Sequence, residues 1–268
     1  MTGQTSGADM AENAVFLERD GAAAHLVLNK PDKRNALSEA MWLAIPRLLA
    51  EAEADRAVRV LVVRGAGGAF AAGADISEFE EVYSTPERAE AYSAAVAAAL
   101  DGLAAFPRPT LAAIDGPCVG GGCGLALACD LRFAAEGSKF GITPGKLGLV
   151  YTLNDTRRLI DAVGVSAAKD ILFTGRILGA EEARALRLID RLVEPEALRT
   201  AVNGWVAMAA KASGRSAAVT KQIVARILAG QSADDAETKK LFLDAFQGAD
   251  FQEGYRAFLE KRAPNFPE

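Results

Sequence analysis

Short apolar runs alternate with turns and helical stretches over the first three quarters of the chain, whereas the last quarter follows helical spacing throughout. Runs of five or six apolar residues bounded by turn residues are typical of buried strands. Strands interleaved with helices, followed by helices alone, predict an α/β body and a helical C-terminal part that begins near residue 197. The predicted strands are Val15–Arg19, Ala23–Leu28, Val58–Val63, Thr110–Ile114, Leu131–Ala134 and Ile189–Val193.

Helices are predicted where apolar residues recur at helical spacing between breakers. Ser38 is a good N-cap for a helix that runs to about Ala54, and an alanine-rich helix over about Glu87–Ala105 ends before two prolines. The polar segment Glu78–Pro86 is predicted to be mobile, and Phe140–Thr152 to be a loop. Further helices are predicted up to Cys129 and over roughly Asp155–Ala162, Ser166–Thr174, Ala180–Leu186, Glu196–Lys211, Ser216–Leu228, Ala233–Phe246 and Phe251–Lys261.

Two glycine-rich turns follow predicted strands, at Ala69–Ile76 and at Gly116–Gly124. Glycine allows a tight turn and lets another molecule approach the backbone N–H groups. Two such turns can aim two N–H donors at one oxygen, and these donors stabilise an oxygen that gains negative charge. The turns therefore indicate an enzyme that stabilises an oxyanion.

Composition limits the remaining possibilities. The 268 residues are 50% hydrophobic, enough for one sizeable domain with a helical appendage, and the net charge of -5 argues against nucleic acid as a partner. Three cysteines within residues 118–129 suit neither a zinc site nor a disulfide framework, which favours a reducing cytosol. Residues 1–12 are predicted to be a disordered lead-in rather than a signal peptide, and no membrane span is expected, so we predict a cytoplasmic protein.

A single histidine, His25, is the most restrictive count in the sequence. It lies in a predicted strand with no acid or nucleophile signature nearby, so we interpret it as structural. With His25 interpreted as structural and no other histidine in the sequence, a Ser-His-Asp or Cys-His arrangement is nearly ruled out, as is a multi-histidine metal site, and no metal is expected. The segments Gly65–Phe70 and Gly141–Lys146 imitate dinucleotide and phosphate loops but fail at required positions, so neither NAD nor ATP is expected.

Five segments, taken in order, resemble the crotonase (enoyl-CoA hydratase/isomerase) superfamily over about Val15 to Phe266. The resemblance implies an α/β crotonase (ClpP-like) fold, a spiral of ββα units over residues 13–196, with a helical oligomerisation region over 197–268. It also implies a homotrimer, or a hexamer built from two trimers, and an acyl-CoA substrate that itself carries the coenzyme, with no separate cofactor. The segments are Leu28–Leu37, Phe70–Ile76, Ala113–Asp130, Phe140–Gly148 and Gly254–Phe266.

The same resemblance implies a set of site residues. The oxyanion-hole N–H groups would belong to Ala74 and Gly121, with Gly120 beside them, and the adenine would lie near the backbone of Ala72, Asp75 and Ile76. Lys30 or Lys33, together with Phe258 and Lys261 from a neighbouring subunit, would hold the nucleotide and its phosphates.

The chain departs from the family's hydratases at both acid positions. The two glutamates that activate water and deliver a proton would stand at Gly124 and Pro144, and neither of these residues can carry a proton. The segment Thr143–Tyr151 resembles the methylmalonyl-CoA decarboxylase branch, which has a functional tyrosine at the position of Tyr151 and a histidine where this chain has Ala74. Loss of CO2 from a malonyl-type thioester supplies the enolate without a base, so such a site needs mainly an oxyanion hole.

Three functions stay open at this point. The first is a decarboxylase or isomerase in which Tyr151 positions a carboxylate or protonates the enolate, and Tyr151 is equally well explained as a packed aromatic. The second is a hydratase whose acids come from Asp155 or Glu78, although Asp155 also fits as a helix N-terminal acid. The third is a catalytically silent acyl-CoA-binding subunit.

Overall fold

A computed structural model describes residues 14–266, so the predicted lead-in over residues 1–12 lies outside the described residues. A six-stranded sheet has the order β1-β2-β3-β4-β6-β9, in which only β1 is antiparallel to its neighbour. A second, three-stranded sheet has the order β5-β7-β8. The strands are β1 (Val15–Asp20), β2 (Ala23–Leu28), β3 (Val60–Gly65), β4 (Thr110–Ile114), β5 (Pro117–Val119), β6 (Leu131–Ala135), β7 (Lys139–Gly141), β8 (Ile177–Gly179) and β9 (Arg191–Val193).

Helices cover the large sheet and form the C-terminal region. Single turns of 3-10 helix also occur at Pro31–Lys33, Ile76–Glu78, Pro144–Leu147 and Pro195–Ala197. The α-helices are α1 (Glu39–Ala54), α2 (Phe79–Val82), α3 (Pro86–Ala104), α4 (Gly121–Ala128), α5 (Leu153–Val163), α6 (Val165–Thr174), α7 (Ala180–Ala185), α8 (Leu198–Ala209), α9 (Gly214–Leu228), α10 (Ala236–Gln247) and α11 (Ala249–Leu259).

The large sheet is buried on both faces. In β3, Leu61 and Val63 face the main core formed with α1, α3 and α4, whereas Val60 and Val62 face a smaller core completed by α8. Alternate residues of a strand point to opposite faces. A parallel strand covered on both sides therefore needs an unbroken apolar run, which explains why the hydrophobic pattern reveals these strands.

The observed elements differ from the predicted ones in a few places. The segment Glu78–Pro86, predicted to be mobile, begins with the end of a 3-10 turn and helix α2 (Phe79–Val82). The predicted loop after Phe140 contains part of β7 and a 3-10 turn. β3 begins two residues later than predicted because residues 58 and 59 lead into the sheet before pairing starts. Within residues 14–266, no helix has the length and apolar character needed to cross a bilayer.

Candidate active site

The two glycine-rich turns meet at one side of a cavity of about 250 Å³, whose lining includes Ala74 and Gly121. Backbone hydrogen bonds join the turns directly. The N–H of Ala71 donates to the carbonyl of Pro117 at 2.9 Å, and the N–H of Val119 donates to the carbonyl of Ala71 at 2.9 Å. The predicted convergence of the two turns is therefore present in the structure.

The N–H of Ala74 faces away from Leu37, the buried residue that pairs with this part of the first turn. Leu37 donates to the carbonyl of Gly73 at 2.8 Å, and Asp75 donates to the carbonyl of Leu37 at 2.9 Å, which makes a single parallel bridge. Because N–H groups of successive extended residues alternate in direction, the intervening N–H of Ala74 is turned to the opposite side. None of the described residues accepts a hydrogen bond from it.

The N–H of Gly121 is the first of helix α4, and such first-turn groups have no acceptor within their own helix. Among the described residues it has no other acceptor either. The preceding Gly120 has a φ of +51°, and a methyl group added there would lie 3.6 Å from the Cα of Gly73. Two unpaired donors thus border one cavity, where they could stabilise a negatively charged oxygen.

Close packing behind the second turn requires glycine. A methyl group added at Gly121 would lie 2.9 Å from Cζ2 of Trp42. One added at Gly122 would lie 2.5 Å from the carbonyl oxygen of Ala71, the atom that joins the two turns. The glycines therefore bring the turns together as well as allowing a ligand to approach.

Gly124 and Pro144 both line the cavity, so the two positions that carry glutamates in the resembling hydratases do face the candidate site. Asp155 is the one acidic residue of the described lining. It accepts a hydrogen bond from Thr152 at 2.8 Å and pairs with Arg158 at 2.9 Å. Its predicted role as an acid in the first turn of a helix is confirmed, and the same carboxylate borders the cavity.

Tyr151 also lines the cavity, and its hydroxyl donates to the carbonyl of Gly120 at 3.0 Å. Burial raises the pKa of this hydroxyl well above its ordinary value, and nearby Cys123 and Asp155 add to the effect. The phenol therefore stays protonated at neutral pH. The hydroxyl thus lies beside the second glycine-rich turn, while the ring packs against the main core, and the role of Tyr151 stays a prediction.

Comparison with known proteins identifies the family. A family model described as enoyl-CoA hydratase/isomerase matches residues 18–268. The chain belongs to the enoyl-CoA hydratase/isomerase family. This membership confirms the resemblance seen in the sequence motifs.

Solved structures and a curated relative agree with this assignment. A protein assigned to the enoyl-CoA hydratase/isomerase family from Hyphomonas neptunium is 51% identical, with a TM-score of 0.92 over 94% of this chain and 97% of that one. An enoyl-CoA hydratase/carnitine racemase from Magnetospirillum magneticum is 39% identical, with a TM-score of 0.89 over 94% and 95% of the two chains. A crotonyl-CoA hydratase from Syntrophomonas wolfei is 33% identical over 96% of this chain and 99% of its own. The predicted α/β crotonase fold is confirmed.

The structure places the predicted coenzyme A-binding residues in two groups. Ala72 and Ile76 line the cavity, and Asp75 lies between them in the chain. Lys30 and Lys33 each place Nζ 2.9 Å from the carboxylate of Asp75. Burial alone would raise the pKa of Asp75, but hydrogen bonds from Ser77 and the two lysines outweigh it and hold the pKa well below its usual range.

Phe258 and Lys261 form the second group. Phe258 is 83% exposed near the end of α11, and Lys261 follows that helix with a φ of +54°. Neither residue lines the cavity of its own chain. Their predicted role in a neighbouring subunit's site stays a prediction.

Four aromatic residues form one wall of the cavity, which the sequence did not predict. They are Trp42 of α1, Phe79 of α2, Tyr92 of α3, and Tyr83, which directly follows α2. On the sequence, Trp42 and Tyr92 occupy apolar helical positions that indicate only a buried face. Glu78, one of the two proposed relocated acids, is not part of the lining and instead accepts a hydrogen bond from the N–H of Glu39 at 2.8 Å.

Proposed function

We propose that this protein acts on an acyl-CoA thioester and stabilises its enolate between the N–H groups of Ala74 and Gly121, as a decarboxylase or an isomerase rather than a hydratase. The observation that carries the proposal is the pairing of these two unsatisfied donors with Gly124 and Pro144 on the same cavity. The thioester itself brings the coenzyme, so the proposal includes no separate cofactor.

In the decarboxylation, the bond between Cα and the carboxylate carbon breaks and CO2 leaves. The bonding electrons pass through Cα to the thioester oxygen, where the two N–H groups meet the developing charge. Removal of one such donor in other enzymes costs about 3–4 kcal/mol of transition-state stabilisation. The enolate then takes a proton at Cα, and the protonated phenol of Tyr151, at the same turn as Gly121, is the proposed source.

In the isomerisation, a base removes a proton from Cα and the conjugate acid returns it to Cγ. Asp155 is the proposed base because it is the one carboxylate of the described lining. Its pair with Arg158 at 2.9 Å holds the carboxylate in place beside the cavity. The Asp155 carboxylate also supports the alternative, a hydratase with a relocated acid. The name of the Syntrophomonas wolfei relative, a crotonyl-CoA hydratase, favours the same alternative.

We also propose a homotrimer or a hexamer of two trimers. The C-terminal helices expose several large apolar side chains, among them Phe242, Leu243 and Phe258. Exposed apolar patches of this kind are typical of subunit interfaces. In the assembly, Phe258 and Lys261 of a neighbouring subunit would complete the nucleotide end of the site next to Lys30 or Lys33.

Turnover of malonyl-CoA or methylmalonyl-CoA by the wild-type protein and by Tyr151→Phe tests the proposal. General acid catalysis contributes about 10²-fold or more, so Tyr151→Phe should lower kcat by about 10²-fold while changing KM little. Tyr255→Phe is the matched control, because Tyr255 lies outside the cavity lining. Hydration of crotonyl-CoA at the rate of ordinary hydratases would overturn the proposal in favour of a hydratase. Tight binding without turnover across a panel of thioesters would favour the silent subunit.

A further inference from the structure

The tyrosines of this chain are concentrated at one cavity. Three of the four, Tyr83, Tyr92 and Tyr151, line it, together with one of the two tryptophans. A site for a plain hydrocarbon chain needs no phenol hydroxyls on its wall. The hydroxyls therefore raise the question of which polar group on the acyl chain they bind.

Tyr92 presents a hydroxyl that has no acceptor among the described residues. The side chain comes from α3 and is 6% exposed, and within residues 14–266 no atom accepts a hydrogen bond from its O–H. The ring itself is fixed, because Tyr83 packs edge-on against it at 5.7 Å and Phe79 packs edge-on against Tyr83 at 5.0 Å. A rigid ring with an unpaired hydroxyl at a cavity is a preorganised hydrogen-bonding group.

Trp42 places a second unpaired polar group behind the first. Its indole is 1% exposed, and its N–H is buried without an acceptor among the described residues. The edge of the ring that adjoins this N–H lies against Gly121, which carries one of the two oxyanion donors. The N–H lies close enough to the Tyr92 hydroxyl to favour its ionised form, without the geometry of a full hydrogen bond.

Two carboxylates, Glu39 and Glu78, lie near Tyr92, and Arg88 pairs with the first of them at 2.9 Å. Burial raises the pKa of Tyr92 to about 12, and the carboxylates of Glu78 and Glu39 act in the same direction. The phenol is therefore protonated and able to donate at neutral pH. The Glu78 carboxylate, which accepts a hydrogen bond from the neutral backbone N–H of Glu39, would repel an anionic substituent.

We propose that Tyr92 donates a hydrogen bond to a neutral oxygen on the acyl chain, so that the protein selects acyl-CoA thioesters with a hydroxyl or keto group beyond Cβ over plain hydrocarbon ones. Trp42 acts as a positioning residue: its N–H donates to the Tyr92 oxygen, which directs the phenol hydrogen at the substrate. This inference rests on the acyl-CoA site of the proposed function.

Calorimetric titration with matched thioesters tests the inference without turnover. The pair 4-hydroxybutyryl-CoA and valeryl-CoA differ by a hydroxyl in place of a methyl group, and 5-hydroxyvaleryl-CoA and hexanoyl-CoA repeat the comparison one carbon further out. One net hydrogen bond corresponds to about a 3- to 10-fold tighter Kd for the hydroxylated member of at least one pair. Succinyl-CoA, which places a carboxylate at that end, should bind more weakly than 4-hydroxybutyryl-CoA.

Tyr92→Phe should abolish the preference and leave the Kd for valeryl-CoA within about 2-fold, whereas Tyr255→Phe should keep it. Trp42→Phe should reduce the preference, measured as the ratio of the two Kd values within each pair. Equal affinity within both pairs in the wild-type protein, a preference that survives Tyr92→Phe, or tighter binding of succinyl-CoA overturns this inference alone. Failure of the wild-type protein to bind any of these thioesters overturns the proposed function as well.

Discussion

Replacement of Gly122 by alanine should separate the two oxyanion turns without altering either donor residue. The added methyl group would lie 2.5 Å from the carbonyl oxygen of Ala71 and 2.8 Å from its Cβ. The first of these atoms is backbone and accepts the hydrogen bond from Val119 that joins the turns. It cannot rotate away as a flexible side chain could, so one of the turns must shift.

The magnitude follows from the two effects of that shift. Overpacking of a close-packed interior costs about 1–3 kcal/mol of unfolding free energy. Misplacement of one oxyanion donor costs about 3–4 kcal/mol of stabilisation. One pKa unit corresponds to about 1.36 kcal/mol. Loss of one donor should therefore raise the pKa of the bound thioester, whose conjugate base is the enolate, by about 2–3 units.

A bound 3-oxoacyl-CoA such as acetoacetyl-CoA makes this measurable without knowledge of the natural substrate. Its enolate absorbs in the near ultraviolet, so a pH titration of the complex gives the pKa of the bound ligand. In the wild-type complex this pKa should lie below that of the free thioester, and in Gly122→Ala it should return most of the way toward the free value.

Gly102→Ala is the matched control, because Gly102 also lies within a helix and a methyl group there would meet only Cδ1 of Leu49, at 3.4 Å. It should leave the ligand pKa unchanged and stabilise the fold by about 0.5–1 kcal/mol through helix propensity. An unshifted ligand pKa in the wild-type complex, or the same shift in wild type and Gly122→Ala, would refute the assignment of the oxyanion hole to these turns.

Three other predictions concern charged groups. Burial, followed by the charge of Arg64, lowers the pKa of His25 below 6.5 in the folded protein, so the unfolded chain binds a proton at this residue more tightly. The urea midpoint of unfolding should therefore fall as the pH drops below 6.5, and His25→Gln should remove that dependence. Asp155→Asn removes one carboxylate from Arg158, which keeps its pair with Asp101, and should cost about 1–3 kcal/mol in urea unfolding. Lys33→Met should weaken binding of coenzyme A by roughly 2- to 5-fold at low salt and hardly at all at 1 M salt, as measured by calorimetry.

The parts of the fold that follow from local pattern could be predicted. The central strands form unbroken apolar runs because both faces of the sheet are covered, and the glycine turns are visible because their backbone needs glycine. The strands Pro117–Val119, Lys139–Gly141 and Ile177–Gly179 were missed. Each has three residues, and pairing with the others fixes them rather than any pattern of its own.

The site could be predicted only where backbone or motif carries it. Ala74 and Gly121 could be singled out because they belong to turns with a recognisable sequence, and both line the cavity, although their role as donors stays a prediction. Trp42 and Tyr92 are fifty residues apart on different helices, so no spacing links them, and an aromatic residue on a buried helix face gives the same signal whether it borders a cavity or a solid core. The ion pairs that join Lys30 and Lys33 to Asp75 were missed for the same reason.

In the proposed mechanism, stabilisation of an enolate and transfer of a proton are carried by different parts of this molecule. The first depends on backbone N–H groups held by the join between the turns at Ala71, so it tolerates side-chain changes that preserve that join. The second depends on individual side chains, and at Gly124 and Pro144 these cannot carry a proton. The source of the proton should therefore limit the chemistry. The double variant Gly124→Glu/Pro144→Glu should increase the rate of crotonyl-CoA hydration without changing the pKa at which a bound 3-oxoacyl-CoA forms its enolate. A methyl group at Gly124 would meet Leu100 at an ordinary 3.4 Å, so the first carbon of a glutamate fits there. A shift of the enolate pKa in that double variant would show that the two functions are not separable.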